Sequence, residues 1–112
     1  MKIVFLKPSF PPIYSYIYDI HNIYKSNYYT NNGPYVRKFE LELKSYLQSQ
    51  SRPILVNNAT TGLIVAFKSL NLPVGSRVIV PSFTFSATIQ ALLWCGLVPK
   101  YCDINPNTFN LD

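Results

Sequence analysis

Hydrophobic positions in the first part of the chain follow helical spacing. Apolar side chains recur every three or four residues at Ile13, Ile17, Ile20 and Tyr24. This spacing places them on one face of a helix, which the preceding Pro11 and Pro12 would open. The chain is rich in Tyr and Asn up to residue 32, and we predict a helical segment there that packs on another part of the protein.

A second helical pattern follows the turn residues at 30–33. Its apolar positions are Val36, Phe39, Leu43 and Leu47. Pro34 precedes them at a position suited to the first turn of a helix. Glu40 and Lys44 are four residues apart, a spacing that favours an ion pair on the exposed face. The pattern predicts a helix that begins at Pro34 and ends near residue 47.

From residue 53 onward, short apolar runs alternate with helical patterns. The runs at 54–56, 78–80 and 98–104 are strand candidates, and helical patterns occupy 61–70 and about 85–95. Connections of such length are crossovers rather than hairpins, so the strands are expected to be parallel. The sequence therefore predicts an α/β fold in which helices cover a parallel sheet.

The stretch LVNNATTGL carries polar side chains where the first strand candidate becomes a helix. In an α/β sheet, ligands bind beyond the carboxyl ends of the strands, where the N-terminal end of a helix favours an anion. Thr60 and Thr61 would add hydroxyl donors to the backbone N–H groups of Thr61 and Gly62, which makes a phosphate site one interpretation. The other interpretation is that Asn58 or Thr60 only caps the helix.

A second polar turn follows the strand candidate at 78–80. In VIVPSFTFSATIQA a proline ends the strand, and residues 82–85 lead into the next helix. Phe85 would project beside the same crevice as the first turn, and a flat ring next to a phosphate site suits a flat phosphorylated ligand. The alternative is that Phe85 is a core aromatic, since Phe is among the residues most often buried.

Composition and charge narrow the classes of function. The chain of 112 residues is 48% hydrophobic, enough for one small domain with a core. Its formal charge of +5 comes from Lys and Arg residues that form no run, which argues against nucleic acid as a partner.

Cys95 and Cys102 form neither a metal-binding pair nor a disulfide framework, so we expect two buried thiols, no metal and a cytoplasmic protein. The apolar run near the N-terminus is too short for a signal peptide or a membrane span.

Four ordered segments of the chain resemble the N-terminal part of the DegT/DnrJ/EryC1/StrS family. They are TNNGPYVRKFE, NNATTGL, PSFTFSATIQ and the final DINPNTFNLD. The family comprises sugar aminotransferases that depend on pyridoxal phosphate (PLP) and have the aspartate aminotransferase-like, type I PLP fold. The resemblance implies that the Tyr-rich helical segment over residues 1–32 precedes a partial PLP-binding large domain over 33–112, with parallel strands joined by crossover helices.

The same resemblance implies which residues bind ligands. Thr60 and Thr61 match the Thr-Ser pair of the family turn, which binds the phosphate of PLP. Phe85 occupies the position of the aromatic residue that stacks on the pyridine ring. Tyr29 and Tyr35 are candidates for stacking on a nucleotide-linked sugar or hydrogen-bonding to it. The alternative is that these tyrosines pack the N-terminal helix onto a missing domain or a second subunit.

The catalytic groups of the family are expected beyond residue 112. The resemblance implies that the Asp that pairs with the pyridine nitrogen, the Schiff-base Lys and the small domain all lie further on. No catalytic residue is therefore assigned, and this chain is expected to be inactive alone. The chain also departs from the usual family turn at Ala59, commonly Gly, and at Gly62, commonly Ala.

Two classes of function stay open. One is the N-terminal segment of an aminotransferase that converts a keto group on a nucleotide-linked sugar to an amine, with glutamate as donor, in polysaccharide biosynthesis. The other is a non-catalytic remnant or interaction segment that folds against a partner chain. Within the enzyme class, some relatives replace the lysine by His and dehydrate sugars instead. The resemblance implies a homodimer for the full-length form, and the composition gives no reason to expect nucleic acid, a membrane or a metal as partner.

Overall fold

The computed structural model describes residues 6–112. Contacts divide the chain into two compact units, residues 1–54 and 55–112, and each is described by itself. We call them the first and the second unit. The functional boundary predicted between residues 32 and 33 is a different kind of division and stays a prediction.

Residues 6–54 of the first unit form two α-helices, α1 (Ile17–Ser26) and α2 (Pro34–Tyr46), and a short 3-10 helix at Ile13–Ser15. Both predicted helices are present, although α1 begins only after the 3-10 turn. Asn27 ends α1 in the left-handed conformation, with a φ of 54°, which Asn tolerates better than most side chains. Pro34 stands in the first turn of α2, where its missing N–H group costs no hydrogen bond.

The predicted ion pair on the outside of α2 is wrong. Glu40 is buried, with 6% of its surface exposed, and its partner is Arg52. The Oε2 atom of Glu40 lies 2.6 Å from Nη2 of Arg52 and accepts a hydrogen bond from its Nε at 2.9 Å. A buried carboxylate needs charged donors to offset its lost hydration, and the guanidinium provides two. On the exposed face, Lys38 and Glu42 form the i, i+4 pair instead, at 3.8 Å.

The second unit alternates helices and strands. Its elements are α3 (Ala59–Ser69), β1 (Arg77–Pro81), α4 (Ser86–Trp94) and β2 (Val98–Cys102). The two strands pair in parallel, with Val80 opposite Tyr101, and α4 is the crossover between them. The predicted α/β class with parallel strands and a crossover helix is confirmed.

The core of the second unit lies between the two helices and one face of the sheet. Its buried and partly buried members are Ile64, Phe67, Val78, Val80, Ile89, Leu92, Cys95 and Leu97. The opposite face of β1 is not covered by the described residues, because Ile79 remains 64% exposed. Among the described residues, β1 is therefore buried on one face only.

Two strand predictions need correction. Residues 54–56 belong to no strand, because the sheet among the described residues contains only β1 and β2 and offers these residues no ladder partner. The strand predicted over 98–104 ends at Cys102. Just beyond it, the N–H group of Ile104 donates to the carboxylate of Asp103, a local bond that competes with the sheet ladder. Ile104 then forms an isolated antiparallel bridge with Leu111.

Two adjacent leucines on α4 test this packing. Leu92 is fully buried and Leu93 is 56% exposed. We expect Leu92→Ala to lower the free energy of unfolding by about 2–5 kcal/mol, because it removes core contacts and leaves a cavity. Leu93→Ala is expected to change it by no more than about 0.5 kcal/mol. Urea denaturation of dilute protein, followed by circular dichroism, measures both. Equal losses for the two variants would contradict the core assignment.

Candidate functional site

The N-terminal ends of α3 and α4 lie on the side of the second unit where the parallel strands end. Gly75, in the turn from α3 to β1, donates its N–H group at 2.7 Å to the carbonyl of Gly96, in the turn from α4 to β2. Both helices thus end at the amino end of the sheet, and their chain direction is antiparallel to that of the strands. The residues at the helix starts, including Thr60, Thr61 and Phe85, consequently lie toward its carboxyl end, where ligands bind in α/β folds.

Asn58 caps α3 in the first polar turn. Its Oδ1 atom accepts the Thr61 N–H at 2.9 Å, and its carbonyl accepts the Gly62 N–H at 3.2 Å. The capping interpretation is therefore confirmed for Asn58, and both backbone donors expected to hold a phosphate are already engaged. The half-buried side chains of Thr60 and Thr61 make no hydrogen bond within the described part of the chain. A phosphate at this turn would use these hydroxyls first and would reach the Thr61 N–H only by displacing the Asn58 side chain.

Ala59 and Gly62, the two positions that depart from the usual family turn, both fit the helix without backbone strain. Ala59 is the first residue of α3 and has a negative φ, so an alanine carries no backbone strain there. Gly62 also has a negative φ, and a Cβ at that position would lie 3.3 Å from Cγ2 of Val56. Gly62 thus permits close packing of the helix on Val56. A close approach to a phosphate is not needed to explain it.

Phe85 is the N-cap residue of α4 in the second polar turn, and its side chain is 79% exposed. The interpretation of Phe85 as a core aromatic is therefore wrong. On either side of it, the hydroxyls of Thr84 and Thr88 lie 3.0 Å apart and form a hydrogen bond that ties the turn to the helix. The exposed ring is free of core contacts and has the shape and polarity to stack on a planar ligand.

The two candidate tyrosines of the first unit make contacts within that unit. The hydroxyl of Tyr29 lies 3.0 Å from Oδ1 of Asn27 and 3.2 Å from the carbonyl of Tyr24. Its ring meets that of Tyr24 edge to face, with centroids 5.7 Å apart. The Tyr35 hydroxyl donates to Oδ1 of Asp19 at 3.0 Å. These contacts lie within the first unit, so substrate binding and packing onto a missing domain or a second subunit both stay predictions.

Sequence patterns missed two polar partners, Asp19 and Arg52. Each is more than ten residues from the side chain it contacts, at separations of 16 for the Tyr35–Asp19 bond and 12 for the Arg52–Glu40 bond. Helical and strand periodicities relate residues only a few positions apart. No local signal in the sequence could have identified these pairs.

Residues 6–112 contain neither a helix that could span a membrane nor a cluster of metal ligands. The helices described there are too short or too polar to cross a lipid bilayer. Within the same residues, His, Cys, Asp and Glu side chains form no group of three or more that could hold a metal ion.

Comparison with known proteins gives consistent matches. Residues 15–112 match the DegT/DnrJ/EryC1/StrS aminotransferase family. The chain is 36% identical over 106 residues to a dTDP-4-amino-4,6-dideoxy-D-glucose transaminase from Escherichia coli, which covers 95% of this chain and 28% of that protein. The chain thus spans less than a third of that relative's length.

Solved structures of two proteins share the fold. NtdA from Bacillus subtilis, determined with bound cofactor PMP, superposes with a TM-score of 0.81 at 34% identity, covering 89% of this chain and 22% of NtdA. GDP-4-keto-6-deoxy-D-mannose-3-dehydratase from E. coli, determined with bound hydrated PLP, has a TM-score of 0.79 at 25% identity, covering 95% of this chain and 28% of the dehydratase. The two helices and two parallel strands of the second unit thus form part of a type I PLP-enzyme fold.

Neighbouring asparagines test the first polar turn. Asn58→Ala removes the acceptor of the Thr61 N–H and should lower the free energy of unfolding by about 1 kcal/mol. Asn57→Ala, one residue earlier and outside the cap, should leave it within about 0.5 kcal/mol of the unchanged chain. Urea denaturation compares the two. A larger loss for Asn57→Ala would show that the turn is capped differently.

Proposed function

The chain belongs to the DegT/DnrJ/EryC1/StrS aminotransferase family, and from that premise we propose that its second unit supplies phosphate and ring contacts to pyridoxal phosphate in a sugar aminotransferase. The chain is proposed to be the N-terminal segment of that enzyme, which aminates a keto group on a nucleotide-linked sugar with glutamate as donor. The observation that carries the proposal is the placement of Thr60, Thr61 and Phe85 at helix starts on the carboxyl side of a parallel sheet.

The residues at this edge fit the two ends of the cofactor. Thr60 and Thr61 offer hydroxyl donors that no other described group uses, beside the positive end of an 11-residue helix. The exposed ring of Phe85 offers an apolar plane for a flat heteroaromatic ring. An anionic group and an aromatic ring on one ligand are the two features of PLP that these side chains would recognise.

The cofactor and the residues of this chain have different roles in the proposed reaction. When bound, PLP supplies the electron sink that transamination requires. The chain's own residues bind and orient: the threonine hydroxyls hold the phosphate, and Phe85 fixes the plane of the ring. No residue of this chain is proposed as catalytic, and the reacting lysine is proposed to belong to another part of the protein. Binding by this chain alone is therefore expected to be weak and reversible, because several contacts and the covalent link are missing.

Transamination is preferred to the two alternatives because residues 15–112 match an aminotransferase family and the E. coli relative is a transaminase. A non-catalytic interaction segment does not require unused threonine hydroxyls and an exposed Phe85 at the same edge. A cytoplasmic location, a homodimer of the full-length form and a role in cell-surface polysaccharide biosynthesis are part of the same proposal.

Threonine substitutions test the phosphate contacts. Replacing Thr60 and Thr61 together by Val keeps the side-chain shape but removes both hydroxyls, and we expect the dissociation constant for PLP to rise at least about tenfold, since a hydrogen bond to a charged group contributes about 1.5 kcal/mol or more. Thr30→Val, in the first unit, is the matched control and should leave the dissociation constant for PLP unchanged. Equilibrium dialysis, with PLP detected by its absorbance, measures this constant. An unchanged dissociation constant in the double variant would contradict the proposed phosphate site.

Lysine labelling tests the absence of a reacting lysine. Incubation of the 112-residue chain with PLP and then borohydride should modify several lysines slowly and none stoichiometrically, because the lysines are expected to be surface charges outside the site. Peptide mass spectrometry identifies the modified positions. One lysine labelled to completion would mean that the working site is a different one. Glutamate-dependent amination of a keto sugar by this chain alone should be undetectable.

A further inference from the structure

The first unit contains a cavity of about 270 Å³ that none of the cofactor contacts uses. Its lining comes from both helices of the unit: Asp19 of α1, and Pro34, Tyr35 and Lys38 of α2. The lining residues thus bring a carboxylate, a phenol, an amine-bearing side chain and a proline ring to one cavity. These four residues are called the α1–α2 cavity below.

The hydrogen bond inside this cavity determines what a ligand must offer. The hydroxyl of Tyr35 donates its single proton to Oδ1 of Asp19 at 3.0 Å. The oxygen of Tyr35 and the second carboxylate oxygen of Asp19 are then acceptors only. Both side chains are half-buried, so they are partly shielded from competing water. A ligand that satisfies them must bring hydrogen-bond donors, as neighbouring hydroxyl groups do.

Lys38 adds a positively charged side chain to the lining of the cavity. Its Nζ lies 3.8 Å from Glu42, but the two side chains are 72% and 65% exposed. Exposed pairs of this kind contribute little free energy, so the ammonium group can turn from Glu42 to a ligand anion at small cost. The cavity therefore combines two acceptors for hydroxyl groups with one donor for an anion.

We propose that the α1–α2 cavity binds the sugar end of a glycosyl phosphate. Two sugar hydroxyls donate to Asp19 and Tyr35, Lys38 contacts the phosphate, and the rings of Pro34 and Tyr35 cover the C–H face of the pyranose. This inference rests on the proposed function, in which the substrate is a nucleotide-linked sugar. It assigns Asp19 and Lys38 to substrate recognition, and it gives Tyr35 the role of an acceptor.

Glutamate is the competing ligand that the same charges could attract. Its ammonium group would contact Asp19 and a carboxylate would contact Lys38. However, glutamate has no ring face to cover the apolar wall of Pro34 and Tyr35, and it gains nothing from a pair of hydroxyl acceptors. The sugar phosphate matches every group that lines the cavity, and the experiment separates the two.

Ligand titration of the 112-residue chain tests the inference. Glucose 1-phosphate, methyl glucoside, inorganic phosphate and glutamate are titrated separately while ¹⁵N–¹H shifts and saturation transfer are recorded. Glucose 1-phosphate should bind at least about fivefold more tightly than each of the other three and should shift the amides around Asp19 and Tyr35. Binding of glucose 1-phosphate no tighter than that of inorganic phosphate, or tighter binding of glutamate, would overturn the inference.

Near-isosteric variants test which residues bind the sugar phosphate. Asp19→Asn should lower the affinity for glucose 1-phosphate about tenfold, because a charged hydrogen-bond acceptor is lost. Lys38→Gln should make glucose 1-phosphate bind no more tightly than methyl glucoside. Lys25→Gln on α1 and Tyr46→Phe on α2 lie outside the cavity and should leave the affinity for glucose 1-phosphate unchanged. Circular dichroism checks that each variant is folded, and unchanged affinity in a folded Asp19→Asn or Lys38→Gln would refute the site.

PLP retention measured on the same samples keeps the two proposals separate. Loss of sugar-phosphate binding in Asp19→Asn with PLP retention unchanged supports both. Absence of sugar-phosphate binding with PLP retained overturns only the α1–α2 cavity. Absence of PLP binding with intact sugar-phosphate binding overturns only the cofactor site.

Discussion

Parallel pairing of β1 with β2 is the constraint on which the second unit depends. Parallel strands cannot be joined by a hairpin, so the chain must return along a crossover, and α4 makes that return. α3 leads into β1 through a turn that is hydrogen-bonded to the turn after α4. Both helices therefore start on the same side of the sheet, and each start carries a polar turn. One backbone constraint thus places two separate segments of sequence at a common edge.

The chemistry at that edge depends on which groups accept hydrogen bonds from the first backbone N–H groups of each helix. Asn58 uses its own side chain to cap α3 and leaves the threonine hydroxyls without a partner among the described residues. Phe85 caps α4 by backbone conformation alone, and its ring faces solvent. An exposed Phe gains nothing from folding, since its apolar surface stays in contact with water. A ligand that covers the ring would recover this free energy, which supports the proposal that Phe85 contacts a ligand.

Polar contacts between distant positions organise the first unit. Arg52 neutralises the buried Glu40, and Asp19 accepts the hydroxyl proton of Tyr35. The first contact offsets the cost of burying a carboxylate. The second fixes which atoms of the α1–α2 cavity remain as acceptors. Apolar surface stays exposed on the face of β1 around Ile79, which is 64% exposed, and on the apolar face of α1, where Ile17 is 53% exposed.

The sequence by itself determined the helices, the α/β class with parallel strands and the two polar turns. Hydrophobic spacing and the turn residues act over a few positions, and local backbone preferences are enough to express them. Only the tertiary structure decided that residues 54–56 form no strand here, that β2 ends at Cys102, that Glu40 is buried against Arg52 and that Phe85 is exposed. Each of these outcomes depends on which groups lie alongside in space. A strand needs a ladder partner, a buried carboxylate needs a cation and a ring needs a covering surface, and none of these partners can be identified from local spacing along the chain.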